Sequence, residues 1–246
     1  MRKRLIFPAL ATALLLSGCS ADQLPRFGAP EPVSDIGARV AHFWTGGWIA
    51  ALVVGVMVWG LIIWAAIFHR RRGNEIPAQT KYNIPIEILY TIVPFIIVAV
   101  FFYFTARDQS QITKISPDST KVHVIKVNGI RWSWQFTYEN LGPETTVTGT
   151  PGQPPVLYLP AGERVRFELT SSDVNHSFWI PAFMMKMDNL AGVTNRFEVT
   201  PTKEGTYPGR CAELCGRNHS LMLFTVKVVS PSEYQQQISK LKGAMA

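Results

Sequence analysis

Apolar positions along this 246-residue chain fall first into long unbroken runs and then into short alternating ones. Residues 5–16 form an apolar stretch too short to cross a bilayer. Residues 43–68 carry no charge over 26 positions, enough to span ~30 Å of hydrocarbon with some tilt. A second run, residues 84–106, holds one ionisable residue, Glu87, and one proline, Pro94, which a membrane helix tolerates better than a soluble one. From Arg107 onward the segments 121–127, 131–138, 156–159, 164–170, 196–200 and 221–229 read as β-strands, with Gly and Pro densest in 140–155. The pattern predicts a helical membrane hairpin followed by a small all-β antiparallel sandwich or Greek-key barrel. Ser230, Pro231 and Glu233 make a capping box that opens a short terminal helix through about Lys242.

Charge placement adds a topology. The chain is 47% hydrophobic and carries a net charge of +7, but seven basic residues sit in Arg2-Lys3-Arg4, Arg70-Arg71-Arg72 and Lys81. From Arg107 onward there are 15 basic and 12 acidic residues, with no basic stripe of the kind a phosphate backbone requires, so nucleic acid is not an expected partner. The cationic loop 69–83 belongs in the cytoplasm by the positive-inside rule, which puts residues 19–42 and 107–246 on the outer face. At the N-terminus, Leu16-Ser17-Gly18-Cys19 after a basic and then apolar stretch resembles a bacterial lipobox. The resemblance implies removal of residues 1–18 and acylation of Cys19; the alternative is an uncleaved signal anchor. Trp44, Trp48 and Trp64 near the ends of the first span fit an interfacial aromatic belt.

The candidate chemistry lies in Cys211, Glu213, Cys215, His219 and Met222, with His176 far upstream. Two thiols, two imidazoles and a thioether are a soft set that selects copper over hard cations. Two other readings stay open on the residues alone. His176, Cys211, Cys215 and His219 could form a closed Cys2His2 zinc site with Met222 as core, or Cys211 and Cys215 could form a disulfide in an oxidising compartment. A single-copper blue site needs only one thiolate, so two bridging thiolates imply two coppers.

The C-x-E-x-C-x3-H-x2-M run, behind two membrane spans, resembles subunit II of haem–copper cytochrome c oxidase over nearly the whole mature length. The resemblance implies a cupredoxin domain in which Cys211 and Cys215 bridge the two coppers of a CuA centre. His176 and His219 would each bind one copper, with Met222 and the Glu213 carbonyl as weak ligands. The Glu213 carboxylate would help hold a magnesium ion at the seam with subunit I. Trp132, in the W-x-W stretch, would receive electrons from a c-type cytochrome; Trp134 and Phe136 would pack the core. Glu87, seven residues before Pro94, would stand at the mouth of a proton-uptake path into subunit I, the chain carrying haem a and the haem a3–CuB pair where oxygen is reduced and protons are pumped.

Members of this family that dock a basic cytochrome carry an acidic face, whereas the exported part here is mildly basic, so an acidic or membrane-tethered donor, or one held in a supercomplex, is expected. Ala191 stands where family members often have proline, and 140–155 reads as a variable insertion. Quinol oxidase subunits share the architecture but lack the copper ligands, and nitrous-oxide reductase carries the motif on a far longer soluble enzyme. A lipid-anchored copper chaperone would need no second span. Met184, Met185 and Met187 read as packing, and His42, His69 and His123 as surface or interfacial residues.

Overall fold

The computed structural model describes residues 24–74, 76, 78–117, 120–139 and 145–243, so Cys19 and the leader lie outside the described residues. The chain divides into two units: residues 42–111, and the remainder on either side.

The first unit is the helical hairpin. Helix α1 runs Asp35–Phe68, its last part in this unit, and α2 runs Ile84–Ile112. Both are long and apolar enough to cross a membrane, and their most apolar stretches bury nothing in the protein itself. Phe43 of α1 meets Phe101 of α2 edge to face, with centroids 6.1 Å apart. Pro94 lies within α2, as its apolar setting permits. The side chain of Glu87 is taken up by the helix start: its Oε1 accepts from the Asn83 N–H at 2.8 Å, while Asn83 Oδ1 accepts from the Ile86 N–H at 3.4 Å. These bonds satisfy donors that the first turn leaves open.

The second unit is a β-sandwich of two five-stranded sheets. Its strands are β1 His123–Ile130, β2 Ser133–Tyr138, β3 Thr145–Thr148, β4 Val156–Pro160, β5 Val165–Ser171, β6 His176–Ile180, β7 Met185–Asn189, β8 Asn195–Val199, β9 Gly205–Cys211 and β10 Leu223–Val229. One sheet is ordered β3-β2-β1-β5-β8 and the other β4-β10-β9-β6-β7. Most pairings are antiparallel, but β1 with β5 and β4 with β10 are parallel, which is how this Greek key crosses between layers. The core is aromatic: Trp134, Phe136, Phe167, Phe178, Phe197 and Phe224 are buried, and Phe178 stacks on Phe224 at 4.8 Å. Helix α3, Pro231–Gly243, starts on the expected cap, with the Glu233 N–H donating to Ser230 Oγ at 3.3 Å. It buries Tyr234 and Ile238.

Four strands, β3, β6, β7 and β9, were not visible in the hydrophobic pattern. β6 is buried on both faces and shows no alternation, β9 carries Gly and Pro, β7 is built on methionines, and β3 lies in the segment read as an insertion.

The start of α1 also differs from the sequence reading. The helix begins at Asp35, ahead of the uncharged run, because Ser34 caps it: the Gly37 N–H donates to Ser34 Oγ at 2.9 Å. The preceding backbone lies on the sandwich, with Val33 N–H donating to Ala182 O and Thr202 N–H to Val33 O. Asp35 accepts from the Thr200 N–H at 2.8 Å and from Arg164 Nη2 at 3.2 Å. Arg164 also reaches Glu198, which is buried and accepts from Arg166 Nε at 2.8 Å and Ser116 Oγ at 2.6 Å. One ion network thus holds the chain where it leaves for the hairpin, at Asp35, and where it returns, at Ser116.

Candidate metal centre

The site is assembled from three places in the second sheet: the start of β6, the end of β9 with the loop after it, and the 3-10 turn His219–Leu221 that leads into β10. Strand β9 ends on Cys211, and the antiparallel register with β10 brings the Cys211 N–H onto the Met222 carbonyl at 3.0 Å. Cys215 follows at the inner side of the loop, and Gly216 then takes φ +119°, a conformation that side chains strain against. His176 opens β6 and is buried. Gly129 of β1 makes room for its ring, since a Cβ there would lie 2.7 Å from the imidazole.

The ligating atoms converge. Cys211 Sγ and Cys215 Sγ are 3.9 Å apart and the two thiols are free, so the disulfide reading does not describe this state. His176 Nδ1 lies 3.9 Å from Cys211 Sγ, which donates to the Glu213 carbonyl at 3.2 Å. His219 Nδ1 lies 3.6 Å and Met222 Sδ 3.7 Å from Cys215 Sγ. The atoms of His176, Cys211 and Cys215 all lie within 4.8 Å of one another. Each imidazole therefore stands against a different thiol, and the His176, Cys211 and Cys215 group could hold a metal ion. Met222 is buried with its sulfur turned to the cluster, which core packing alone does not require.

Electrostatics distinguish the two thiols. Burial works to raise Cys211, but its hydrogen bonds with His176 and the Ser177 and Glu213 backbone outweigh it and bring the thiol down to about 7. Burial and the neighbouring Cys211 push Cys215 up to about 12. Without metal the pocket thus holds one easily ionised thiol beside one that keeps its proton, and metal binding must displace that proton.

Asp173 is a site residue that motif reading missed. Its Oδ1 accepts from His176 Nε2 at 2.9 Å, which fixes the tautomer and leaves Nδ1 facing Cys211. Burial raises the Asp173 carboxyl, but bonds from the Arg131 N–H, His176 and the Val174 N–H prevail and hold it down at about 2. The signal that could have found it is an aspartate three residues before a ligand histidine in a tight turn. Asn189, opposite His176 in the β6–β7 register, braces the same region through bonds to the Val127 and Thr170 carbonyls.

Trp132 lies outside the strand, although 131–138 reads as one. It precedes β2, in the β1–β2 turn, while Trp134 and Phe136 behind it are core. From there its indole Nε1 donates to the Cys215 carbonyl at 3.2 Å, placing a half-buried ring directly on the ligand loop. The Glu213 side chain is exposed, and Leu214 beside it is 78% exposed. Glu87 belongs to the hairpin. Met185 and Met187 pack against the core as expected, and His123 pairs with Glu163 against the Tyr234 ring.

Comparisons with known proteins point to one family. A family model described as "Cytochrome C oxidase subunit II, periplasmic domain" matches residues 154–229. The chain is 47% identical to a "Probable cytochrome c oxidase subunit 2" of Streptomyces avermitilis, covering 98% of this chain and 88% of that one. It is 33% identical to cytochrome c oxidase subunit 2 of Mycobacterium bovis, covering 94% and 79%. Among solved structures, the periplasmic domain of subunit II of cytochrome oxidase from Bradyrhizobium japonicum is 29% identical over 52% of this chain and 99% of that chain, with a TM-score of 0.47. With two membrane-length helices, a sandwich carrying the paired thiols, and relatives that align along most of its length, the chain belongs to the cytochrome c oxidase subunit 2 family.

Proposed function

We propose that this chain holds a binuclear copper centre of the CuA type and takes electrons from a c-type cytochrome for delivery to the haem of subunit I. There oxygen is reduced to water with proton pumping. The observation that carries the reading is the double-ended cluster: two unbonded thiols, each with its own imidazole, plus a thioether and a carbonyl. Cys211 and Cys215 would bridge, His176 and His219 would bind one copper each, and Met222 and the Glu213 carbonyl would be weak ligands. Bound there, the copper pair supplies one-electron transfer with little change in geometry. The protein's part is to keep that geometry: Asp173 orients His176, Gly129 admits its ring, and buried Phe178 and Met222 exclude water.

Trp132 is the electron-receiving residue, supported by its bond to the Cys215 carbonyl. The exposed Glu213 carboxylate is free to contribute to a magnesium site shared with subunit I. Glu87 would stand at the cytoplasmic mouth of a proton path, a role for which its cap bond to Asn83 would have to be released. The loop 69–83 faces the cytoplasm, and the sandwich and an acylated Cys19 lie on the outer face of a bacterial membrane. The mild basicity of the exported part favours an acidic or tethered cytochrome.

Copper loading of the full chain tests the central claim. Two coppers per chain are expected, with an electron paramagnetic resonance signal from one unpaired electron spread over both nuclei. One copper per chain, or zinc alone from a copper–zinc mixture, overturns it.

A further inference from the structure

We propose that the turn leaving α1 is a binding site for the phosphate headgroup of an anionic phospholipid. The inference rests on α1 crossing a bilayer and is independent of the copper reading. After Phe68 the chain passes through His69, Arg70, Arg71 and Arg72, which with Gly73, Asn74 and Ile76 enclose an open cavity of about 820 Å³. Arg71 builds the turn: its Nε donates to the Gly73 carbonyl at 2.8 Å and its Nη2 to Asn74 Oδ1 at 3.4 Å. Arg70 and Arg72 line the same cavity and make no hydrogen bond or ion pair with any described residue. His69 is held at the rim by an edge-to-face contact with Trp64, centroids 4.5 Å apart.

Charge arithmetic gives these arginines a surplus. The C-terminal end of a helix carries roughly half a negative charge, which a single cation offsets. Glu75 in the same loop adds one further negative charge, so three arginine charges still leave a positive surplus, and guanidinium forks match phosphate oxygens in bidentate geometry. Immediately before the turn, Trp64, Ile67 and Phe68 are exposed apolar side chains on a membrane-length helix. A ligand that suits both halves has a phosphodiester at one end and hydrocarbon at the other. Free phosphate shares the charge chemistry but has nothing to lay on the apolar helix, and an indole at this level is the usual companion of headgroups.

The test uses the full chain reconstituted in phosphatidylcholine bilayers with spin-labelled phosphatidylglycerol or spin-labelled phosphatidylcholine, reading the motionally restricted fraction. Phosphatidylglycerol should be retained preferentially, and Arg70→Gln with Arg72→Gln should lower its relative association by about 30-fold, the equivalent of about 1 kcal/mol per arginine. Because arginines in this loop also bear on orientation, Arg70→Lys with Arg72→Lys serves as a second variant. It keeps the charge, and should retain most of the preference while losing a few-fold from the missing forks. Equal retention of the two lipids by the unsubstituted protein, or undiminished preference in the glutamine variant, would overturn the proposal. So would full displacement of the labelled lipid by inorganic phosphate at matched ionic strength, which would assign the site to free phosphate.

Discussion

Glu198 and Cys211 are both buried polar residues in strands of the sandwich, but their surroundings are completed in different ways. Around Glu198 the groups close on one another: Arg166, Arg164 and Ser116 donate to its two oxygens, Arg166 also bonds the Ser116 carbonyl, and Arg164 goes on to Asp35. These bonds outweigh the burial that would raise the Glu198 carboxyl and hold it below the usual carboxylate range. Around Cys211 the thiol donates to the Glu213 carbonyl at 3.2 Å, but the side chains otherwise face a common space across sulfur contacts of 3.6 to 3.9 Å, which are poor substitutes for hydrogen bonds. The bond from His176 to the Asp173 carboxylate points outward and orients the ring. A buried cluster that satisfies itself is scaffolding, whereas one that converges without closing is built for a group supplied from outside.

Four sets of variants would break or sharpen this contrast. The largest effect belongs to the thiols proposed to bridge: Cys211→Ser or Cys215→Ser should abolish the proposed two-copper stoichiometry altogether while leaving the sandwich folded, read by metal analysis and circular dichroism of the full chain. Retention of two coppers in either variant would contradict a bridging role. Next, Glu198→Ala should cost ~3–5 kcal/mol of stability, because it strands Arg166 in the interior without a counter-charge. Replacing Glu198 and Arg166 together by leucine and methionine should cost much less, and neither change should alter copper bound per folded chain. Denaturant unfolding monitored beside copper content decides this.

Asp173→Asn should weaken copper binding by roughly 10- to 100-fold, the range for removing a carboxylate that orients a ligand histidine. Competitive chelator titration measures it. Since the Asp173 carboxyl is lowered when folded, to about 2, its contribution to stability is complete above the ordinary carboxylate range and is lost as pH falls toward about 2. Wild type and Asp173→Asn should therefore converge in acid and separate near neutrality. Smallest is Met222→Leu, which should keep both coppers and shift their reduction potential, because an axial thioether tunes the metal more than it anchors it. Spectroelectrochemistry checks this, and copper loss as complete as in the cysteine variants would erase the distinction between bridging and weak ligands.

Which parts of the site could be read in advance follows from how each residue is specified. The thiols, His219 and Met222 lie within one short run, where spacing alone reveals them. His176 lies far upstream, where no local spacing connects it to Cys211, and its role as the ligand of one copper is what the family resemblance implies. Asp173 and Gly129 escaped notice: a lone aspartate in a turn and a glycine in a strand have many uses, and their roles exist only once β1 and β6 bring them to the same ring. The strand expected over 131–138 starts only at Ser133 and leaves Trp132 in the turn, because a period-two pattern does not reveal where a turn intrudes.

By itself the sequence determined the pair of membrane-length helices, the class of the β domain, the candidate ligand run and the cap of α3. Each is a local property, set by runs of apolar residues, by alternation or by residue spacing. The tertiary structure alone decided where α1 begins, how β6, β7 and β9 complete the second sheet, and which carboxylates act as ion-pair scaffold or as a brace for a ligand. Those depend on partners such as Asp35 with Arg164, Ser116 with Glu198 and Asp173 with Arg131, which lie more than 40 positions apart. A pattern with a period of two or of three to four residues carries no information about such pairs; burial in a shared core, which makes an unpaired charge costly, is what selects them.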